Sequence, residues 1–381
     1  KSEKPPALYD LTTLQRDANR LLGFTAQQTL DYLQNLYEKK LCTYPRTDSR
    51  YLTSDMAASL PELVRLTAGA LPFAAGMELA CNAAQVINDK KVTDHHAVIP
   101  TRNLQGADLS GLPVGEKAVL ELVALRLLCA VAQPYTFAET AVVVECAGAE
   151  FTAKGRTVKN YGWRALDAAY RAGLKNVEQD KEPEDKALPE LSEGQTLPLS
   201  GATVKEGKTT PPKHFTEDTL LSAMETAGKD DMPEDAERKG LGTPATRAGI
   251  LEKLVSTGFL ERKKSKKTVQ LMPSHDAVSL ITVLPEQLQS PLLTAEWEYR
   301  LRSSVASWPR RISWLGLVPC SKNLWEPIKL SRERSICSAL PTKWWANAPA
   351  VAERLQKCKK ASSVRQNLAN LQFGKTTSGG S

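Results

Sequence analysis

No two of the seven cysteines form a Cys-x-x-Cys pair. Their odd number and scatter, from Cys42 to Cys358, fit reduced thiols better than a disulfide framework or a zinc site. No apolar run approaches the roughly 20 residues that a membrane-crossing helix needs. The charged opening KSEKPPALYD is unlike the core of a secretory signal. These absences make a soluble, cytoplasmic protein the expectation. Histidine is scarce, with four in the chain, yet two of them, His95 and His96, are adjacent. From Ser303 to Ser381 there is neither aspartate nor histidine, and only Glu326, Glu333 and Glu353 oppose many lysines and arginines. Six of the seven tryptophans lie at or beyond Trp297, so one reading of this region is a basic tail whose indoles stack on single-stranded nucleic acid.

What is present fits a folded protein of ordinary composition, 41% hydrophobic and long enough at 381 residues for two or three domains. A formal charge of +7 is compatible with nucleic acid without requiring it. The fold class expected is mixed α+β, mostly helical. In YDLTTLQRDANRLLGF, the residues Leu11, Leu14, Ala18, Leu21 and Leu22 recur at helix spacing until Gly23 stops them. Thr25 and Gln28 open a second helix as a capping box, with Leu30, Leu33, Leu36 and Tyr37 as its apolar stripe and Lys39 and Lys40 at its end. Gly115 to Gln133 predicts a long buried helix. From Thr136 the β-branched runs broken by Gly148 and Gly155 predict a strand pair, and the acidic, proline-bearing stretch from about Gly173 to Pro212 predicts connecting chain with one or two edge strands. Two helices opening at Thr216 and Thr243, then a basic tip at Arg262 to Lys267 between short strands, suggest a winged helix. An ordinary helical domain with a solvated lysine-rich turn accounts for those residues equally well.

The chemistry concentrates in TYPRTDSRYL, Thr43 to Leu52. A phenol, with a pKa of about 10, attacks phosphorus only where nearby cations favour the phenolate and the charged phosphoryl centre. Arg46 and Arg50 stand ready to provide that field, and an arginine fork can hold two phosphate oxygens at once. In TDHHAVIPT, adjacent histidines on extended chain point to opposite faces, so only one of them can address a given centre. GLGTPATRAGI offers a glycine-rich helix start of the kind that binds phosphate, with Thr246 and Arg247 as its side-chain candidates, and PPKHFTEDTLL offers Lys213 and His214.

TYPRTDS resembles the active-site segment of type IA DNA topoisomerases, whose pattern is Tyr, any residue, Arg, Thr, Asp, Ser. LTTLQRDA, TDHHAVIPT, PPKHFTEDTLL and GLGTPATRA resemble further family segments, in the family's order, over about Leu8 to Arg302. The closest branch is bacterial topoisomerase III. The resemblance implies that Tyr44 cleaves one DNA strand as a 5′-phosphotyrosine ester, that Arg46 holds the scissile phosphate, that His95 approaches it, and that Asp48 orients a donor. Asp94 is a candidate to fix the His95 tautomer. Arg50, Lys213, Thr246 and Arg247 are the expected DNA contacts.

The resemblance also implies an ATP-independent isomerase acting chiefly on single-stranded DNA, as a monomer, for relaxation or decatenation. Its Mg²⁺ is held by a Toprim domain whose motif does not occur here, so the chain is expected to be a fragment of low turnover. The alternative is a noncatalytic single-stranded DNA-binding remnant. The expected divisions are a tyrosine-bearing helical domain at 8–134, a partial β-rich gate domain at 135–205, a winged-helix-like domain at 206–302, and an aberrant basic tail at 303–381, with the isolated chain expected to be poorly soluble or partly disordered around residues 136–200. The family pattern ends after LTAEWEYRLR, so the tail is expected to be translated out of frame. Translation of the neighbouring frames of the coding DNA tests that.

Overall fold

The computed structural model describes residues 1–174, 188–204, 206–228, 240–265 and 268–290, except residues 75, 76, 78 and 190, together with Leu293. The expected tail at 303–381 lies outside the described residues. The described residues up to Val283 form one compact unit, and the short helix Glu286–Gln289 belongs to a second.

Helix α1, Leu11–Leu22, buries Leu11, Leu14, Ala18 and Leu21 on one stripe. Asp10 caps it by accepting from the Thr13 N–H at 2.7 Å, and Gly23, at φ 73°, ends it in the left-handed conformation that glycine adopts without strain. Helix α2, Ala26–Glu38, begins with the expected reciprocal box: the Thr25 hydroxyl accepts from Gln28 N–H and the Gln28 side chain accepts from Thr25 N–H. Leu30, Leu33 and Leu36 are buried, but Tyr37 is 42% exposed. It lies in the last turn of α2, beside the loop that follows, so it leaves the apolar stripe expected of it.

After α2 the chain reverses. Lys40 sits at φ 60°, and the Leu41 N–H donates to the Leu36 carbonyl at 2.8 Å while the Lys40 N–H donates to that of Tyr37 at 2.8 Å. This is a Schellman closure with a lysine in the position usually held by glycine. It sends residues 41–44 back along residues 97–101, where Cys42 pairs antiparallel with Pro100.

Helix α3, Leu60–Gly69, and helix α4, Val114–Val131, complete the core. Leu120, Leu122, Val123, Ala124, Leu125, Leu127 and Leu128 of α4 are all buried, because α1, α2, α3 and the later helix α5 surround it. An apolar circumference with no polar face is what such a central helix requires. One polar network lies within this layer. Tyr9 Oη donates to Asp17 at 2.8 Å, Arg126 pairs with the same carboxylate and stacks over the Tyr9 ring, and Arg20 reaches it at 2.8 Å. Burial raises the pKa of Asp17, but Arg126 and Arg20 outweigh it and hold the carboxyl below its ordinary value. A carboxylate with a depressed folded pKa adds stability that is complete above its unfolded value, about 4, and is lost as pH falls through the folded one. Acid unfolding monitored by circular dichroism should therefore shift less with pH below 4 in Asp17→Asn, from a lower starting stability, than in the parent chain.

Strands β1, Ser2–Glu3, β2, Tyr135–Cys146, and β3, Ala149–Asn160, form an antiparallel sheet in that order. Ala147 and Gly148, at φ 53° and 78°, make the two-residue turn between β2 and β3. The hairpin runs from Thr136 to Asn160, with one register shift between Thr136 and Phe137. Helix α5, Trp163–Ala172, follows, burying Leu166 and Tyr170; sequence periodicity had not isolated it. The edge strands expected between 173 and 212 are absent among the described residues there.

Helix α6, Glu217–Thr226, helix α7, Pro244–Ser256, and strands β4, Leu260–Ser265, and β5, Thr268–Pro273, supply the expected two helices and hairpin; helix α8, His275–Val283, comes after them. Leu221, Ala248 and Leu251 bury a small core together with Ala26 of α2. The basic tip is largely strand: Arg262, Lys263 and Lys264 lie on β4, and Arg262 is bound to Glu217 and Glu252. Lys266 and Lys267 lie outside the described residues.

Candidate active site

Tyr44 sits in the loop just past α2, half-buried. Its ring faces His95 with centroids 4.2 Å apart and planes inclined at 36°, and the edge of Tyr37 meets it at 5.5 Å. Backbone bonds hold this pair. Thr43 N–H donates to the Ile99 carbonyl at 3.0 Å, and Ile99 N–H donates to the Thr43 hydroxyl at 3.0 Å. Thr47, 2% exposed, donates to the His95 carbonyl at 3.0 Å and accepts from Ser49 N–H at 3.1 Å; the Ser49 hydroxyl donates to the Lys91 carbonyl at 2.9 Å. Thr47 and Ser49, which the sequence alone leaves without a role, therefore tie the tyrosine loop to the histidine segment. Tyr37 was missed as a neighbour because helical periodicity assigned it to the core.

The histidines diverge as expected of extended chain. His95 is exposed against Tyr44, while His96 Nδ1 lies 2.8 Å from its neighbour's carbonyl, Ala97 O. Arg46, two residues beyond Tyr44 in the chain, is exposed. Asp48 is also exposed, and no ion pair joins it to Arg46 or Arg50 among the described residues, so the orienting role expected of it is not seen here. Asp94 likewise is exposed and makes no bond to His95 among those residues.

Three expected DNA contacts are placed differently from the sequence reading. Arg50 is bound by Asp10 at 2.6 Å and by Glu225 at 3.4 Å, because the α1 cap and α6 both reach it; its charge is already neutralised rather than directed at Tyr44. Arg247 is 2% exposed and donates to the carbonyls of Leu241 and Gly242 and to the Thr12 hydroxyl, each at 3.0 to 3.1 Å. Burial lowers its pKa. The side chain is thus a brace between the glycine loop and α1, not a surface phosphate ligand. Thr246 is exposed, but its hydroxyl accepts from Thr243 N–H at 2.9 Å and closes the α7 capping box. Lys213 and His214 are exposed.

Among the described residues, no three His, Cys, Asp or Glu side chains converge as a metal site, and no helix is long and apolar enough to cross a membrane.

A family model described as DNA topoisomerase matches residues 1–306. DNA topoisomerase 3 of Bacillus licheniformis is 41% identical over 323 residues, covering 79% of this chain and 42% of that protein. DNA topoisomerase 3 of Bacillus subtilis is 40% identical over 328 residues, covering 80% and 42%. Full-length topoisomerase I from Thermotoga maritima superposes with a TM-score of 0.59 at 20% identity, over 86% of this chain and 51% of that one, a likeness of fold. The chain spans 42% of the length of these curated relatives.

Proposed function

The chain belongs to the type IA DNA topoisomerase family, in its topoisomerase III branch, and we propose that Tyr44 is the nucleophile that opens one DNA strand. Its phenolic oxygen bonds to phosphorus as the bond to the 3′ oxygen breaks, leaving a 5′-phosphotyrosine ester and a 3′ hydroxyl. Attack by that hydroxyl reverses the step without ATP, because the ester conserves the bond energy. Charge grows on the non-bridging phosphate oxygens, and a guanidinium fork aimed at them stabilises the transition state more than the ground state. Arg46 is exposed and has no side-chain partner among the described residues, and it takes that role. To His95, stacked on the phenol, we assign a hydrogen bond to the same phosphate.

The observation that carries this reading is the Tyr44–His95 stack at 4.2 Å, on a loop fixed by buried Thr47. The activity is that of an isomerase on single-stranded DNA, serving relaxation or decatenation. We assign the tyrosine unit to 8–134, the gate strands to 135–205 and the helix-and-wing unit to 206–302. By the family resemblance a Toprim domain would hold the Mg²⁺, and no step here runs through that ion. Lys213 remains the exposed candidate for the DNA backbone.

The test incubates the chain with end-labelled single-stranded DNA and Mg²⁺, with and without a Toprim domain from the family. A detergent-resistant adduct should form with the added domain and disappear in Tyr44→Phe. An adduct that survives Tyr44→Phe overturns the assignment.

A further inference from the structure

The backbone around Tyr44 is pinned, but hydrogen bonds do not hold its side chain. Buried Pro45 confines the residue before it to extended conformation, and Thr43 is bonded twice to Ile99. Beyond Cα, side-chain torsions alone decide where the phenolic oxygen goes. Among the described residues the Tyr44 hydroxyl has no hydrogen-bond partner, so ring packing sets those torsions. Two rings supply the packing: His95 with centroids at 4.2 Å, and Tyr37 in an edge-to-face contact at 5.5 Å with planes at 85°.

The two neighbours differ in firmness. His95 is exposed on irregular chain, whereas Tyr37 stands in the last turn of α2, and that turn is fastened to the core. Asn35 donates to the buried carboxylate of Glu116 at the start of α4 at 3.0 Å, and Lys39 pairs with the same carboxylate. The Lys40 N–H donates to the Tyr37 carbonyl at 2.8 Å from the left-handed reversal that follows. A group carried on a helix tied in this way keeps its place better than one on a loop. Tyr37 is nevertheless half-exposed, so its ring fills no core position, and its hydroxyl has no hydrogen-bond partner among the described residues.

We propose, on the reading of Tyr44 as the nucleophile, that Tyr37 is a positioning residue: its ring keeps the Tyr44 ring against His95 and restricts the rotation that would carry the phenolic oxygen away from the phosphate. Perpendicular rings are a preferred arrangement of aromatic pairs, because the positive edge of one meets the negative face of the other. Tyr37 acts through Tyr44 and makes no bond to the reacting atoms. The role needs the ring of Tyr37 and not its hydroxyl, which sets Tyr37→Phe apart from Tyr37→Ala.

The first readout does not involve cleavage. The chain has four histidines, so the imidazole proton signals of the full chain are assignable by substitution. Stacking on Tyr44 places His95 in the shielding region of that ring, so its signal should lie upfield and return to the position of an exposed histidine in Tyr44→Leu. Tyr37→Ala should undo most of that displacement, and Tyr37→Phe should leave it in place. The second readout is single-turnover adduct formation at saturating end-labelled DNA with the family's Toprim domain added. Tyr37→Ala should slow it about tenfold without weakening DNA affinity, and Tyr37→Phe should keep the parent rate. Thermal denaturation checks folding; should Tyr37→Ala destabilise α2, Tyr37→Leu removes the ring while keeping a good helix former. An unmoved His95 signal in a folded ringless variant overturns the proposal whatever the rate does, and a loss confined to affinity would make Tyr37 a DNA contact instead. A moved signal with an unchanged rate overturns it as well, because the aim of the phenol would not limit cleavage. A parent chain that forms no Tyr44-dependent adduct overturns the nucleophile and this role with it, and that failure is told apart by a His95 signal that still follows Tyr37.

Discussion

Arg46→Ala is expected to slow strand cleavage by about 10² to 10³-fold, the cost of removing one preorganised donor from a charge-developing transition state. Arg46 is exposed and bonded to no other side chain among the described residues, so the melting temperature should stay where it is. Arg46→Lys should recover only part of the rate, because an ammonium keeps the charge but not the two-point fork. The measurement is single-turnover adduct formation on end-labelled DNA, alongside thermal denaturation. A rate within threefold of the parent would remove Arg46 from the mechanism. A falling melting temperature would mean that the side chain has a partner not seen in the structure.

Arg247→Ala should behave in the opposite way, with a large loss of stability and no direct loss of phosphate contact. The side chain is 2% exposed, and three of its bonds satisfy two loop carbonyls and the Thr12 hydroxyl. Truncation strands those acceptors in a buried setting, at about 2–4 kcal/mol. Urea denaturation should show a lower midpoint with an unchanged slope. Gly240 and Gly242, at φ 64° and 66°, let the loop pass close to α6 and present its carbonyls to this arginine. If stability were unchanged while affinity for single-stranded DNA fell and its salt slope dropped by about 0.7, Arg247 would return to the DNA path.

Those two arginines show what sequence can and cannot carry. Local signals were legible where the physics is local: the Thr25–Gln28 box, the α1 stripe ending at Gly23, the buried α4, and the Ala147–Gly148 turn region between two strands. The order of the five motifs likewise pointed to the family. Fates set by long-range partners were not legible. Arg247 meets Thr12 across 235 positions, and Arg50 meets Glu225 across 175, so each looked like a free cation until the chain brought them together. Strand β1 has two residues and no periodicity to find, and it exists only because β2 offers it an edge. Tyr37 follows the helical period of α2, yet it lies where the helix meets the Tyr44 loop, and periodicity does not say where a core stops. Thr47 and Ser49 could be read as members of a motif, but their work as ties to His95 and Lys91 needed the partner strand.

The most direct measurement is to trap the covalent complex between the Toprim-supplemented chain and labelled single-stranded DNA, digest it, and identify the nucleotide-bearing peptide by mass spectrometry. A 5′-phosphate ester on Tyr44 is the predicted result. An ester on Tyr37 or Tyr51, the nearest tyrosines in the chain, or on Ser49, would contradict it.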